Sequence, residues 1–387
     1  MPLSLFDDAP APAADPADPD ERLALVALSL IPGVGAARVR ALLGRFRSAA
    51  AAIGAPARRL AAVEGVGPTT ASAVVAGAGA AFTLAERHLA AAERAGHRFL
   101  GVTDPGYPTL LRRIYDPPPC LWVLGEMLPA DERAIAIVGT RRASDYGRRV
   151  AEYFAAGLAG AGATVVSGLA YGIDIAAHRA ALEAGGRTVA VLGSGLDRIY
   201  PARHAATVRR MLDHGQGVLV SEFPAGTPPD AVNFPRRNRV VAGLSLGVLV
   251  AEARARGGAL LTAMAALEQN REVFAAPAPL FSELTGANQL IRAGAQLVAS
   301  VDDVLEAIAP IVGTAAAPAP APPTADAADL SDAERRLLSV LSDEARPLDE
   351  ICDASGLEPS AALVYLLQLE FRGMARQRAG MRFERKA

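Results

Sequence analysis

A doubly wound α/β sheet set between two small helical domains is the architecture this sequence predicts, on three observations. Between about residues 134 and 309, short apolar strands alternate with helical segments, the pattern of a parallel sheet covered on both faces. Ahead of it, apolar residues recur at helical spacing and are broken twice by the same apolar-x-Gly-apolar-Gly punctuation. Behind it, an Ala/Pro run leads into three helix signatures and an arginine-rich hairpin. At 387 residues the chain exceeds the usual single-domain range, so two or three domains are expected.

Composition narrows the function classes. The formal net charge is -2, so nothing draws the whole molecule to nucleic acid, and a polyanion site has to be a local patch. Lys386 is the only lysine; with so much Ala and Pro, this arginine usage looks like a GC-rich coding bias and argues nothing alone. Cys120 and Cys352 lie far apart and outside any Cys/His cluster, which predicts no metal site, no disulfide framework and a reducing compartment. The N-terminal residues lack a basic stretch followed by an apolar one. Apolar runs fall short of the roughly twenty residues that span a bilayer. A cytoplasmic protein without membrane insertion is expected.

Residues 1–20 are mostly Ala, Pro and Asp and read as a disordered tail. Residues 21–100 read as a helical domain. Leu23, Val26, Ala27 and Leu30 share a helical face, the pattern breaks at Ile31-Pro-Gly-Val-Gly35, and Val39, Leu42, Leu43 and Phe46 resume it. A second break falls at Val63-Glu-Gly-Val-Gly67. Helices joined this way resemble a helix-hairpin-helix (SAM-like) unit, whose turn amides can face a DNA phosphate. A plain αα-hairpin with no ligand is the alternative. Residues 101–132 form a Pro-rich connector packed on the core, with a short strand at Leu121-Trp-Val-Leu124 and Trp122 as a core residue.

Within 133–310, strands are expected at 134–138, 164–167, 188–192, 217–220, 247–250, 272–275 and 296–299, and helices at 147–161, 173–184 and 260–269. Such sheets bind ligands beyond the carboxyl ends of their strands. Three glycine-bearing turns fall there: Gly139-Thr-Arg-Arg142, Ser167-Gly-Leu-Ala-Tyr-Gly-Ile-Asp174 and Gly193-Ser-Gly-Leu-Asp197. Turns that open helices are anion cradles. Neither a G-x-G-x-x-G fingerprint nor a Walker A loop is present, so no nucleotide cofactor is expected. Arg141 and Arg142 suit a phosphate as charge partner.

The densest charge lies in Asn233-Phe-Pro-Arg-Arg-Asn-Arg239, which Pro235 is expected to keep out of regular helix. Arg236, Arg237 and Arg239 offer planar forks for phosphate, and Phe234 offers a face for a base. A structural corner whose arginines pair with nearby carboxylates is the alternative. Ser167, Asp174 and His178 imitate a catalytic triad. However, Asp174 and His178 share one helix face and G-x-S-x-G is lacking, so no catalytic residue is assigned. His178 reads as capping or packed, and His88, His97, His204 and His214 read as surface positions.

Residues 311–329 form an Ala/Pro linker. From 330 to 387, Ser331 and Glu334 mark a helix start, further helices begin near 351 and 358, and a hairpin turns at Ala379-Gly380. That pattern is a winged helix. Its end carries Arg372, Arg376, Arg378, Arg382, Arg385 and Lys386 against Glu384, which suits either a nucleic-acid face or a protein-docking module.

Taken in order, segments 135–142, 167–178, 189–201, Ser221-Glu-Phe-Pro224, 233–244, Glu272-Val-Phe-Ala-Ala-Pro277 and 286–295 resemble the DprA (DNA-processing protein A, or Smf) family. The flanking helical and winged-helix parts are similar to the three-part version of that family. The resemblance implies an extended Rossmann-like domain that binds single-stranded DNA in a basic pocket. It further implies a homodimer through that domain, delivery of the RecA recombinase onto the strand in natural transformation, and no catalysis. It carries a phosphate-binding arginine onto Arg141, basic positions onto Arg187 and Arg203, and the central motif onto Asn233, Arg236, Asn238 and Arg239. With Phe234, Arg142 and Arg237, the turn residues Gly139, Thr140, Ser167, Gly168, Gly193, Ser194 and Gly195 complete the expected DNA site. Leu290 and Ile291 are the candidate dimer face.

Two departures stand out: Gly257-Gly-Ala-Leu260 where the family has Ser-Gly-Ser-Leu, and Pro277-Ala278 where it has Pro-Gly. The rival class is a nucleotide-processing enzyme similar to the lysine-decarboxylase-like phosphoribohydrolases. Their Pro-Gly-Gly-x-Gly-Thr-x-x-Glu loop corresponds here to Arg256-Gly-Gly-Ala-Leu-Leu-Thr262, with Leu260 for a glycine and Ala265 where the acid is required.

Overall fold

The computed structural model describes residues 18–279, 281–312, 330–342, 345–371, 374–378 and 381–385. The expected tail up to residue 17, the linker from 313 to 329, the hairpin turn Ala379-Gly380, Arg372 and Lys386 lie outside the described residues. The chain divides into two units, residues 1–314 and 315–387, and each is described by itself.

The first unit opens with five helices: α1 (Pro19–Leu30), α2 (Ala36–Phe46), α3 (Ala49–Ile53), α4 (Ala57–Ala61) and α5 (Pro68–Arg94). Asp18 caps α1 through its side chain, and Pro19 follows at the first helical position, where a missing N–H costs nothing. The two Gly-bearing punctuations are the turns before α2 and α5. Gly33 and Gly65 hold φ of 83° and 78° there, which a side chain would resist. Arg38 ties the turns together by donating to the carbonyls of both Gly33 and Gly65. By length and composition α5 could cross a bilayer, which the sequence reading did not anticipate. Its Ala71, Val74, Ala81 and Ala85 are instead buried in the core that α1 also enters.

A nine-stranded sheet follows. Its elements are β1 (Arg98–Gly101), α6 (Thr109–Arg112), β2 (Cys120–Leu124), β3 (Ala134–Gly139), α7 (Asp145–Gly160), β4 (Thr164–Ser167), α8 (Ile173–Glu183), β5 (Thr188–Leu192) and α9 (Ala205–Asp213). Next come β6 (Gly217–Ser221), α10 (Asn233–Gly243), β7 (Gly247–Glu252), α11 (Gly258–Glu268), β8 (Glu272–Ala275), α12 (Gly286–Arg292), β9 (Gln296–Leu297) and α13 (Val301–Val312). The strand order is β1-β2-β6-β5-β4-β3-β7-β8-β9. From β6 to β9 all neighbours are parallel, while β2 runs antiparallel to β6 and to β1. The connector is thus an extension of the sheet, and it takes in β1, whose residues 98–100 the periodicity assigns to the helical domain. Trp122 is buried on β2 with its ring 5.3 Å from that of Phe99.

The central strands are buried at almost every position because both faces are covered, and their middles are apolar, with Thr164, Ser167, Thr188, Ser221 and Glu252 at their ends. Val189 and Val191 pack toward Val240, Val241, Ala259 and Ala263 of α10 and α11. Ala190 and Leu192 pack in the core that holds α9 and the first helices, and Ile135 and Ile137 join α7 and α8. The order of crossovers reverses between β3 and β7. Loops on either side of that point diverge at the carboxyl edge and leave a crevice.

One expectation is corrected here. Asn233–Gly243 is helical from its first residue. Pro235 sits in the first turn, where its missing N–H would have no helical acceptor and its fixed φ suits the helix. A second correction concerns His97 and His204, which are buried and not on the surface.

The second unit holds α14 (Asp332–Val340), β10 (Arg346–Pro347), α15 (Leu348–Ser355), α16 (Pro359–Phe371), β11 (Ala375–Arg378) and β12 (Arg382–Arg385). Its sheet order is β10-β12-β11. Ser331 and Glu334 form the expected capping box at α14, and Leu337, Ile351, Leu366 and Phe383 fill the core. Arg378 of the wing pairs with Glu384.

Candidate functional site

The loops after β3, β4, β6 and β7 and the first turns of α10 and α11 enclose a cleft of about 390 Å³ at the switch point. Its wall begins at the end of β3. Thr140 donates its N–H to the Glu252 carbonyl on β7 (2.8 Å) and accepts from Ile173 N–H (3.3 Å). Gly139 has to be glycine, since a Cβ would lie 2.3 Å from Ile173 and 2.7 Å from the Glu252 carbonyl. The loop ends at Ser144, the N-cap of α7. Ser144 gives its N–H and hydroxyl to the two oxygens of buried Glu252 (2.9 and 2.5 Å). Between these two anchors Arg141 and Arg142 stand exposed.

Behind the cleft the charges are buried and matched. Arg237 of α10 runs inward over Gly168 and donates to the Val191 carbonyl at 3.0 Å. A Cβ at Gly168 would lie 1.5 Å from that guanidinium. Asp174 accepts from the N–H groups of Gly168 (3.2 Å) and Ala170 (3.3 Å). Burial pushes the Asp174 carboxyl up and the Arg237 guanidinium down, and the opposite charge of each partly offsets the other's shift. Phe234 lies against Gly193, where a Cβ would approach the ring to 3.0 Å. The guanidinium carbon of Arg141 stands 4.7 Å from the Phe234 ring centre, and Tyr200 lies 6.0 Å away, ring to ring.

The expected site residues therefore divide. Arg141, Arg142, Arg203 and Arg236 make no ion pair among the described residues; Arg203 covers the Tyr171 ring at 4.8 Å and Arg236 the Phe223 ring at 5.3 Å. Asn238 reaches the Gly258 carbonyl at the start of α11 (3.4 Å), and Asn233 opens α10. Gly195 is held by Thr227 (3.0 Å) and Ser194 is buried, donating to the Arg198 carbonyl (2.8 Å).

Arg239 is not free. It pairs with buried Glu222 (2.5 Å) and with Asp116 (3.3 Å); burial raises the Glu222 carboxyl, and Arg239 offsets that. Arg187 is not at this site at all. It precedes β5 at the amino edge and pairs with Asp131 at 2.6 Å. For these two arginines the carboxylate-paired alternative is the one observed.

The imitation triad is not assembled. Ser167 donates its hydroxyl to the Ile137 carbonyl (2.6 Å). His178 is fully buried against Thr188 Oγ1 (2.7 Å), and burial brings its imidazole down to about 3, so it is neutral. Thr188 donates to the Val165 carbonyl; His178 Nδ1–H is therefore the donor of the pair, and Nε2 is left without a partner. At α11, Gly257 is the N-cap and the acid of the rival enzyme class is absent at Ala265.

Sequence reasoning passed over Glu252, Tyr171 and Tyr200. Glu252 closes an apolar strand, a position where a carboxylate signals a loop anchor. Tyr171 is an aromatic inside a glycine turn that otherwise reads as backbone.

Comparison with known proteins identifies the domains. Residues 98–309 match the family model described as DNA recombination-mediator protein A, residues 319–381 the DprA winged helix domain, and residues 25–80 a SAM-like helix-hairpin-helix tandem. The chain is 41% identical to protein Smf of Escherichia coli over 283 residues, which cover 73% of this chain and 75% of that one. It is 40% identical to the DNA processing protein DprA of Bacillus subtilis over 57% of this chain and 74% of the relative. Among solved structures, DNA processing protein A from Streptococcus pneumoniae aligns with a TM-score of 0.62 at 33% identity, over 74% of this chain and 97% of that one.

Proposed function

This chain belongs to the DNA recombination-mediator protein A (DprA) family, and from that premise we propose that it processes DNA by holding a single strand along the carboxyl edge of its sheet. One observation carries the reading. Arg141, Arg142, Arg203 and Arg236 lack carboxylate partners among the described residues, and three of them cover aromatic rings. Free guanidiniums track a phosphate backbone, and π-faces take bases whatever their sequence. The second of these requires an unpaired strand, because bases inside a duplex keep their faces stacked. No bond is made or broken.

The proposal extends to a homodimer formed through this domain and to loading of the RecA recombinase on the bound strand. Of the candidate dimer residues, Leu290 packs on the sheet core and Ile291 is half-buried. Dimer and loading stand or fall separately, on light scattering and on the recombinase's assembly rate on a coated strand.

The binding claim is tested by salt. With four arginines on phosphates, the log–log slope of affinity against salt should be about -3, near 0.7 per phosphate. Arg141→Ala should weaken binding of all single-stranded sequences alike and flatten that slope by about 0.7. A folded Arg141→Ala protein with wild-type affinity and slope would refute the assignment.

A further inference from the structure

Arg141 lines the switch-point cleft and also a neighbouring groove, of about 910 Å³, on the far side of the Arg141–Arg142 loop. Tyr171 lies in that groove with Arg142, Arg148, Arg179 and Arg203 around it. The placement of Arg203 over Tyr171, at 4.8 Å, repeats that of Arg141 over Phe234, at 4.7 Å. Of the groove's other charges, Arg148 pairs with Asp145, Arg179 donates to Thr207 and Glu183 lies 4.0 Å from Arg210, while exposed Glu152 makes no ion pair among the described residues and is the one unpaired carboxylate a phosphate would have to pass. Arg142 and Arg203 have no such partner among the described residues.

The tyrosine is held in place before any ligand arrives. Its ring meets His204 edge to face at 5.3 Å and 77°. His204 is itself fixed, donating Nδ1–H to the Leu169 carbonyl at 2.8 Å. The backbone is constrained on both sides. Buried Leu169 adopts φ 57°, an uncommon conformation for a bulky residue that marks a loop held by its surroundings. Gly172 has φ 76°, and a Cβ there would lie 2.3 Å from the Thr140 carbonyl. That close approach brings the Tyr171 loop against the Arg141 loop. A ring so fixed loses little freedom when a base stacks on it.

On the single-strand reading above, we propose that Tyr171 is a second base-stacking platform with Arg203 as its phosphate partner. The strand then passes from Phe234 to Tyr171 across Arg141. A base arriving on either ring displaces the guanidinium covering it onto the adjoining phosphate, so the same arginine shields the ring when empty and neutralises the backbone when filled.

The test uses the full chain and fluorescently labelled oligonucleotides, with 2-aminopurine as a stacking probe. Tyr171→Ala should weaken binding by roughly 5- to 150-fold, the range for one stacked base, while leaving the salt slope unchanged because no charge is lost. Tyr171→Phe should keep wild-type affinity. Arg203→Ala should flatten the slope by about 0.7. Wild-type protein should quench 2-aminopurine more than Tyr171→Ala does. If Tyr171→Ala binds within about twofold of wild type while Phe234→Ala is weakened, the second platform is absent and the single-strand reading survives. If both variants bind like wild type, that reading fails and this one with it. Weakening by Tyr171→Phe as much as by Tyr171→Ala overturns stacking in favour of a hydroxyl or folding role. Should Tyr171→Ala not fold, 2-aminopurine decides: equal fluorescence with and without wild-type protein ends the proposal.

Discussion

Arg187 and Arg141 sit at opposite edges of the parallel part of one sheet, and the sequence around them looks alike. Each follows a glycine turn, Gly185-Gly186 in one case and Gly139-Thr140 in the other. The difference is which side of a strand they stand on. Arg187 precedes β5, at the edge where Asp131 turns into β3, and its fork meets both carboxylate oxygens at 2.6 and 2.9 Å. Asp131 also accepts from Leu128 N–H (2.8 Å) and Thr164 Oγ1 (3.2 Å), so the pair ties the amino edge together. Arg141 follows β3, at the edge where loops open helices and their N–H groups face outward. The anchoring there is done by a carboxylate from another strand, Glu252, and the arginine is left over. For these two arginines, strand direction rather than residue type separates an ion-paired cation from an unpaired one.

The sharpest way to break that contrast is to remove each arginine in turn. Arg187→Ala leaves Asp131 buried without its countercharge, and should cost about 3–5 kcal/mol of stability, read from urea unfolding. Its single-strand affinity should be unaltered at a temperature where it stays folded. Arg141→Ala should show the reverse, with unfolding like wild type and weakened binding. If Arg187→Ala loses affinity while its fold is intact, the two edges are not functionally distinct.

The same contrast recurs within α10, on a finer scale. Arg237 and Arg239 face inward and are engaged, whereas Arg236 is exposed. Gly168 makes room for the inward run of Arg237. Gly168→Ala should therefore push the guanidinium off the Val191 carbonyl, at about 1–3 kcal/mol or more for the overpacking. Calorimetric unfolding of this variant indistinguishable from wild type would mean that Arg237 has another route and that α10 is not fixed by it.

These distinctions also mark how far the sequence could be read. Strands 164–167, 188–192 and 272–275 are found with the expected bounds, because a strand buried on both faces shows consecutive apolar residues rather than alternation. Arg98–Gly101 is not legible, since its strand character comes from pairing with β2. The helix at Asn233 was hidden by treating Pro235 as a breaker, when its place in the first turn makes it harmless. The glycine turns and Arg141 were legible at the carboxyl edge of the sheet from position alone. What separates Arg141 from Arg187 and Arg239 was not. Their partners Asp131, Asp116 and Glu222 are distant or unremarkable neighbours in the sequence, and only the folded sheet brings the carboxylates to them.

The smallest effect concerns the interior behind the cleft, where a buried imidazole packs near the Arg237 and Asp174 charges. His178 has a folded-state pKa of about 3 against an ordinary 6.5, with burial as the main cause. Below pH 6.5 the unfolded chain therefore binds a proton that the native chain refuses. The stability this confers is complete above about 6.5 and is lost as pH falls toward about 3, at up to about 1.4 kcal/mol per unit. His88, His97 and His204 are lowered too and act with the same sign. Asp174 and Glu222 are raised and act against it. The useful quantity is thus the difference between variant and wild type. His178→Asn keeps a donor for Thr188 but cannot titrate, so the wild-type chain should lose stability relative to it as pH falls from 6.5 to 5. A flat difference across that window would mean that the imidazole takes up its proton in the native state as readily as in the unfolded chain, and that burial against Thr188 does not hold it neutral.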